Sequence, residues 1–437
     1  MKKKKLLCLG LTAMLAVSSL AGCGSSESKT TESQKKEESD TVKITYWGWD
    51  NNFTEPMKEA FEKANPGYEL EVTAVAYSDY VSKIQQSAAS GAELPDILIG
   101  ESNLRGPLFQ MDIWEDLSQE PYHVKKEDYF DYSINKSMNE KGEILGIEQS
   151  VSPSAMAYKR SVAAEYFGTD DRTELEQKLA TMEDYEAAAK EVQEKSDGKV
   201  FLFNSAGSVL GWLYTSDTKS LVSDDGSLDF TGKMKPLLET ACKLRDAGAI
   251  DNFTADTPQA NAAYAGENHI LYPCPNWGIS NGIKANDPDG SGNWGMMIPP
   301  TGGYSNGGTV MGISKSSKNK EAAWKFIDWC TNSDEGVKAA KEQVSYYVPA
   351  KKYYEDNSYT TDKDTYFKGQ DIGELLYQEV LPNIEVPSVV TPYDSVVQSE
   401  VMLLAQAMMA DKSMTWDQLL EKGLADVQSK LPDVTVK

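Results

Sequence analysis

The side chains that most often act as bases, nucleophiles or soft metal ligands are scarce in this chain. It has two histidines, His123 and His269, and five cysteines in 437 residues. No P-loop, His-Glu-x-x-His or Cys-x-x-Cys occurs, so phosphoryl-transfer, zinc-hydrolase and dithiol chemistry lack a carrier motif. The 67 acids leave carboxylate pairs open. Glycoside cleavage needs two of them roughly 5–10 Å apart, and Asp50 with Glu101 is the pair to test first. Asp287-Pro288-Asp289-Gly290 begins like a calcium loop. Its glycine stands fourth where an EF-hand has it sixth, and no acid stands twelfth, which reads as a turn. Tyr346 and Tyr347 are phenols of the kind that bind ferric iron, but adjacent residues of an extended chain face opposite sides. No catalytic residue, metal or cofactor is expected.

Aromatic rings set in polar loops are the more informative signal. The chain has nine tryptophans and 22 tyrosines. Sugars present flat C–H faces rimmed by hydroxyls; a Trp or Tyr ring stacks on the face while Asp, Glu and Asn satisfy the rim. Trp324 and Trp329 fall on an apolar helix face and are expected in the core. Trp47 and Trp49 stand at the carboxyl end of the first strand, where open α/β sheets bind ligands, with Asp50 and Asn51 beside them. Trp212 and Tyr214 follow Gly211, and Asn276-Trp277 follows Pro273-Cys274-Pro275. Trp49 and Trp277, carried by loops, have the best claim to a ligand.

The elements around these residues point to an α/β fold. Val42 to Tyr46 alternates as a strand does. A helix capped by Thr54 follows, with Met57, Ala60, Phe61 and Ala64 on one face, stopped by Asn65-Pro66-Gly67. Leu70 to Val75 is a strand, Ser78 to about Gly91 a helix, and Leu94 to Ile99 a strand buried on both faces. The order β-α-β-α-β indicates a mainly parallel sheet. Helices are expected over 162–167, 181–195 and 233–247 and strands over 269–272 and 294–298, with a mostly helical tail over 395–431.

The N-terminus carries a different kind of information. Lys2–Lys5, an apolar run from Leu6 to Val17 and small residues thereafter form a secretory signal. The run is too short for a spanning helix, which needs roughly 20 residues. Leu20-Ala21-Gly22-Cys23 resembles the lipobox of bacterial lipoproteins. That implies cleavage of a 1–22 signal peptide and acylation of Cys23, enough for stable anchoring without a transmembrane helix. Residues 24–40 contain no aliphatic or aromatic side chain, which predicts a disordered tether reaching roughly 20–25 Å. The net charge of −24, which becomes more negative when the four signal lysines leave, argues against nucleic acid or an anionic membrane surface as partner. Cys242, Cys274 and Cys330 lack metal-ligand spacing. They read as small buried hydrophobes, with a Cys242–Cys274 bridge as the alternative that an oxidising exterior allows.

From Val42 onward the chain resembles the extracellular solute-binding proteins of sugar-importing ABC transporters. The resemblance is carried by Ile44-Thr45-Tyr46-Trp47, by Phe61 to Gly67 and by Gly91-Ala92-Glu93-Leu94-Pro95-Asp96-Ile97. It continues through Ala157-Tyr158-Lys159-Arg160, Ala265-Gly266-Glu267-Asn268 before Trp277, Gly308 to Ser314, and Ser317 to Ile327. It implies a two-lobed periplasmic-binding-protein-like fold of type II, with lobe 1 over 41–146 plus 300–348 and lobe 2 over 147–299 plus 349–437. The binding positions it carries over are Trp49, Asp50, Asn51, Glu101, Ser102, Glu148, Gln149, Tyr158, Asn276, Trp277 and Tyr304; Trp212 joins them from its loop position and Asp394 from the loop beginning at Val390. Glu101-Ser102-Asn103 departs from the Trp and acid that maltose-type members often carry there, which argues against a maltodextrin. The implied role is capture of a carbohydrate, an oligosaccharide, by a monomer that closes on it and delivers it to a membrane permease. The competing readings are a metal ion, polyamine or phosphate ester on the same fold, or a surface glycan-active enzyme or adhesin.

Overall fold

The computed structural model describes residues 41–223, 225–385 and 390–437; the signal, Cys23 and the tether lie outside them. Strand β1 (Val42–Gly48) runs directly into helix α1 (Asn51–Ala64), followed by β2 (Tyr68–Ala74), α2 (Tyr80–Ser90), β3 (Ile97–Glu101), α3 (Arg105–Phe109), α4 (Asp131–Lys136) and β4 (Ile147–Glu148). Met57 and Phe61, one turn apart, turn the apolar face of α1 into the core, and Gly67 takes the left-handed conformation (φ 102°) that lets the chain reverse into β2. The helix starts earlier than its Thr54 signal predicts. Asp50 is the N-cap, accepting a bond from the Phe53 N–H at 3.2 Å, while the Thr54 hydroxyl is buried and donates back to the Asp50 carbonyl at 2.7 Å.

The middle of the chain supplies β5 (Pro153–Lys159), α5 (Arg160–Phe167), α6 (Arg172–Lys178), α7 (Met182–Lys195), β6 (Phe203–Ser205), α8 (Ala206–Ser216), α9 (Phe230–Asp246), β7 (Ile250–Phe253), α10 (Pro258–Ala262), β8 (Leu271–Pro275), α11 (Asn276–Gly278) and β9 (Trp294–Met297). The remainder supplies β10 (Tyr304–Ser305), β11 (Thr309–Ile313), α12 (Lys320–Asn332), α13 (Asp334–Val344), α14 (Asp394–Ala410) and α15 (Trp416–Lys430).

Two main sheets result. The first has the order β2-β1-β3-β11-β4; β1 is parallel to both β2 and β3, as the β-α-β-α-β order requires, whereas β11 is antiparallel to β3 and β4. The second is built on β5, which pairs with β8, β9 and β10, all antiparallel. Within the two main sheets the expectation of a mainly parallel arrangement therefore holds for the first three strands only. The partners of β5 arrive from distant segments and need no crossover helix beside it. A short parallel pair, β6 with β7, abuts the second sheet beside β8, where the Leu271 N–H donates to the Leu202 carbonyl at 2.8 Å. Asp96 locks the first sheet: its carboxylate accepts from the Thr45 N–H and hydroxyl at 2.8 Å each and from the Ser317 hydroxyl at 2.6 Å.

The chain passes between the sheets at β4–β5 and again at β10–β11. Because β10 pairs with β5, the return leaves the second sheet only after Ser305, later than the boundary at 300 that the sequence suggests. One apolar core lies on the first sheet and a second around β5, α8 and α9; a third, rich in tyrosine, includes Tyr132, Tyr347 and Tyr377. The C-terminal helices join the second core, α14 against α8 and α15 against α9. All three described cysteines are buried and free, so the Cys242–Cys274 bridge does not form. No helix among the described residues is long and apolar enough to cross a membrane.

Candidate functional site

A cavity of about 980 Å³ opens where the two sheets face one another. Its walls come from the end of β3 (Glu101–Arg105), Lys136 at the end of α4, the first turns of α8, the turn after β8, the Ser305–Gly307 crossing and the start of α14. The first sheet thus delivers the carboxyl end of a strand, and the second delivers loops and two helix starts.

Trp277 is the most prominent ring. Extended β8 ends at Pro275, and Asn276 anchors the turn: its amide donates to the Val151 carbonyl at 2.9 Å and the Tyr377 hydroxyl at 3.3 Å, while its carbonyl accepts from the Trp277 N–H. The indole Nε1 donates to the Asn306 carbonyl at 2.9 Å. Gly307 (φ 93°) passes so close that a Cβ there would lie 3.0 Å from that nitrogen. Trp277 is therefore fixed by its edge and leaves 42% of its surface exposed.

Tyr77, 39% exposed, supplies another ring. Its hydroxyl donates to Glu101 at 2.8 Å, and its ring stands edge-on to Trp49 at 5.1 Å. Burial, and then the Glu101 charge, hold its phenol above the ordinary value. Glu101 also accepts from the Ser102 hydroxyl and the Asn103 N–H. Elsewhere on the wall, burial raises the Asp394 carboxyl and lowers the Lys136 and Lys233 ammoniums.

Five of the expected residues line this space: Glu101, Ser102, Trp212, Trp277 and Asp394. Trp212 does so as a core residue, only 1% exposed, with its indole donating to Thr301 at 3.0 Å. The other eight are placed elsewhere, each for a local reason. Trp49 buttresses Tyr77 and Tyr80 from behind. Asp50 caps α1 and accepts from the Tyr346 hydroxyl at 3.1 Å, and Asn51 is exposed on the first turn of the same helix. Glu148 is buried under Arg105, and Gln149 is buried with its amide donating to the Tyr46 hydroxyl at 3.3 Å. The Tyr158 hydroxyl donates to the Asp170 carbonyl at 2.9 Å, beneath Gly295 rather than toward the cavity. Asn276 positions Trp277 without lining the space. Tyr304 is buried in the second core.

The other motifs read from sequence have structural uses. The Asp287 carboxylate lies 3.1 Å from the Lys159 ammonium and accepts from the Trp294 indole at 2.9 Å. Tyr346 stacks on Phe53 and Tyr347 on Tyr377, so their phenols diverge.

Sequence reasoning missed Tyr77, Lys136, Asn261, Tyr264 and Asn306, all on the wall. Tyr77 follows the carboxyl end of β2, so the strand-end rule that selected Trp49 applies to it equally. Lys136 carries no such signal, since it ends a short helix in a stretch without motif.

A profile described as bacterial extracellular solute-binding protein matches residues 57–367. Among solved structures, one described as extracellular solute-binding protein family 1 is 18% identical, with a TM-score of 0.79 over 89% of this chain and 99% of the other. An ABC-transporter-associated binding protein of B. animalis subsp. lactis Bl-04, in complex with β-1,6-galactobiose, is 19% identical, with a TM-score of 0.67 over 91% and 100%. The galacto-N-biose/lacto-N-biose I-binding protein of Bifidobacterium longum, in complex with lacto-N-biose, is 18% identical, with a TM-score of 0.70 over 91% and 99%. At such identities the likeness establishes the fold, that of the two-lobed periplasmic solute-binding proteins. The profile spans most of the chain, including the cavity-lining residues from Tyr77 to Gly307, and by that match this chain belongs to the bacterial extracellular solute-binding protein family.

Proposed function

We propose that this protein captures a carbohydrate, an oligosaccharide, in the cavity between its two sheets and passes it to an ABC permease for import. The carrying observation is Trp277: an indole held by its edge, 42% exposed, on the wall of a cavity otherwise rich in hydroxyls, amides and charged groups. A flat apolar face amid many donors and acceptors suits a sugar ring better than a compact ion. The cavity is at the top of the roughly 300–1,000 Å³ range of small-molecule sites, which suits more than one ring. The structures with bound galactobiose and lacto-N-biose support the same reading.

On this reading the lobes move about the β4–β5 and β10–β11 crossings, and ligand shifts the equilibrium toward closure because it touches both walls. The protein acts as a monomer and carries out no covalent chemistry. Lipidated Cys23 and the 24–40 tether hold it at the outer face of the cytoplasmic membrane, which raises its concentration near the permease. Isothermal titration against a panel of mono- and oligosaccharides tests the proposal. Saturable binding of an oligosaccharide without turnover is expected; silence across the panel, or hydrolysis of a bound glycan, overturns it.

A further inference from the structure

Hydrogen-bond capacity around the cavity is unevenly used. Four cations border it: Arg105, Lys136, Lys219 and Lys233. Arg105 lies 3.2 Å from Glu148, Lys219 2.9 Å from Asp229 and Lys233 3.6 Å from Asp217. Lys136 is the one of the four with no carboxylate within 4.0 Å among the described residues. Its ammonium donates to the Ser305 hydroxyl at 3.1 Å and stands 5.6 Å from the Tyr132 ring. An ammonium has three N–H donors, so two have no hydrogen-bond partner among the described residues.

The neighbouring anions are in the opposite condition. Glu101 accepts from Tyr77, Ser102 and Asn103, and Asp394 accepts from the Thr391 N–H at 2.7 Å and hydroxyl at 3.0 Å. The chain's own donors satisfy the carboxylates, while the ammonium retains capacity for an acceptor. Burial lowers its proton affinity, only partly offset by Glu148, and a ligand anion would favour the charged form.

We infer that the oligosaccharide is acidic and that a uronic-acid carboxylate on one ring docks on Lys136. This rests on the carbohydrate reading and narrows it. A singly charged carboxylate fits better than a phosphate dianion, because Glu101 and Asp394 act on the same ammonium and a second negative charge would be repelled.

The experiment titrates the full mature protein with oligogalacturonates, oligoglucuronates and oligomannuronates, each beside its C6-alcohol counterpart. At least one acid should bind about tenfold or more tightly than its neutral partner, a difference of about 1.4 kcal/mol. Lys136→Gln should bring that ratio to within about threefold, and Lys136→Arg should retain it. Equal or tighter binding of the neutral member of every pair overturns the inference and leaves the carbohydrate reading standing. So does a Lys136→Gln variant that weakens both members alike, which would mark Lys136 as merely structural. Failure of every glycan, acidic and neutral, overturns both.

Discussion

Trp277 owes its position to two neighbours with no exposed ring of their own, Asn276 beneath it and the Asn306 carbonyl at its edge. Replacing it with Ala removes a stacking face but little packing. Ligand affinity should fall by about 2 kcal/mol, roughly thirtyfold in Kd, while the melting temperature of the free protein stays nearly constant. Titration and thermal melts of Trp277→Ala and Trp277→Phe check this, with Phe expected to retain most of the affinity. Trp277 was legible in the sequence because a proline-bounded strand end gives an indole few ways to turn back into the core. Trp49, chosen on similar grounds, turned out to be a buttress: Asp50 caps a helix at once, leaving no loop to carry the ring outward. Polar residues misled as well. Glu148 and Gln149 have the composition of a binding site, but their partners Arg105 and Tyr46 are remote in sequence, and no local pattern announces such a pairing.

The element that most needs explaining is the double crossing between the sheets. Arg105, fully buried at the start of α3, donates to Glu148 beside the first crossing and to the Gly308 carbonyl at 2.6 Å in the second, with a further bond to the Lys136 carbonyl at 2.9 Å. Gly308 (φ 106°) allows this approach: a Cβ there would stand 2.4 Å from the Glu148 carboxylate. Removing one partner of a buried pair strands the other charge, at a cost of about 3–5 kcal/mol. Arg105→Met should therefore lower stability by about that amount in denaturant titration. Arg105→Met with Glu148→Gln should recover a good part of it, and a double mutant no better than the single one would refute the clamp. At this scale the first four elements could be read from periodicity and turn residues. The antiparallel second sheet could not, because β5 takes its partners from segments more than a hundred residues downstream, and nothing within β5 itself encodes that choice.

For the molecule as a whole, buried phenols set the alkaline limit. Burial raises Tyr46, Tyr80, Tyr185 and many others, with Tyr122 and Tyr158 pushed up to about 12. An unfolded chain releases its phenol protons near pH 10, whereas the folded one retains them. Their contribution to stability is thus fully present below about pH 10 and is lost as pH rises through the folded values. The depressed Lys136 and Lys233 act with the opposite sign, gaining stability as pH approaches about 10.4, but two lysines are outweighed by the tyrosines. Circular dichroism with phenolate absorbance should show cooperative unfolding above pH 10, the phenols ionising together with the loss of structure rather than before it; stepwise ionisation of an intact fold would contradict this. The tyrosine count was plain from composition, but not which phenols are dry, since burial depends on how the three cores close. The distribution of tryptophans has an optical consequence. Of nine indoles Trp277 alone is exposed, the other eight being buried or half-buried, so a ligand that covers it should shift the emission of the unlabelled protein toward the blue. The native chain carries its own fluorescent gauge of occupancy, and Trp277→Ala is the blank for that signal.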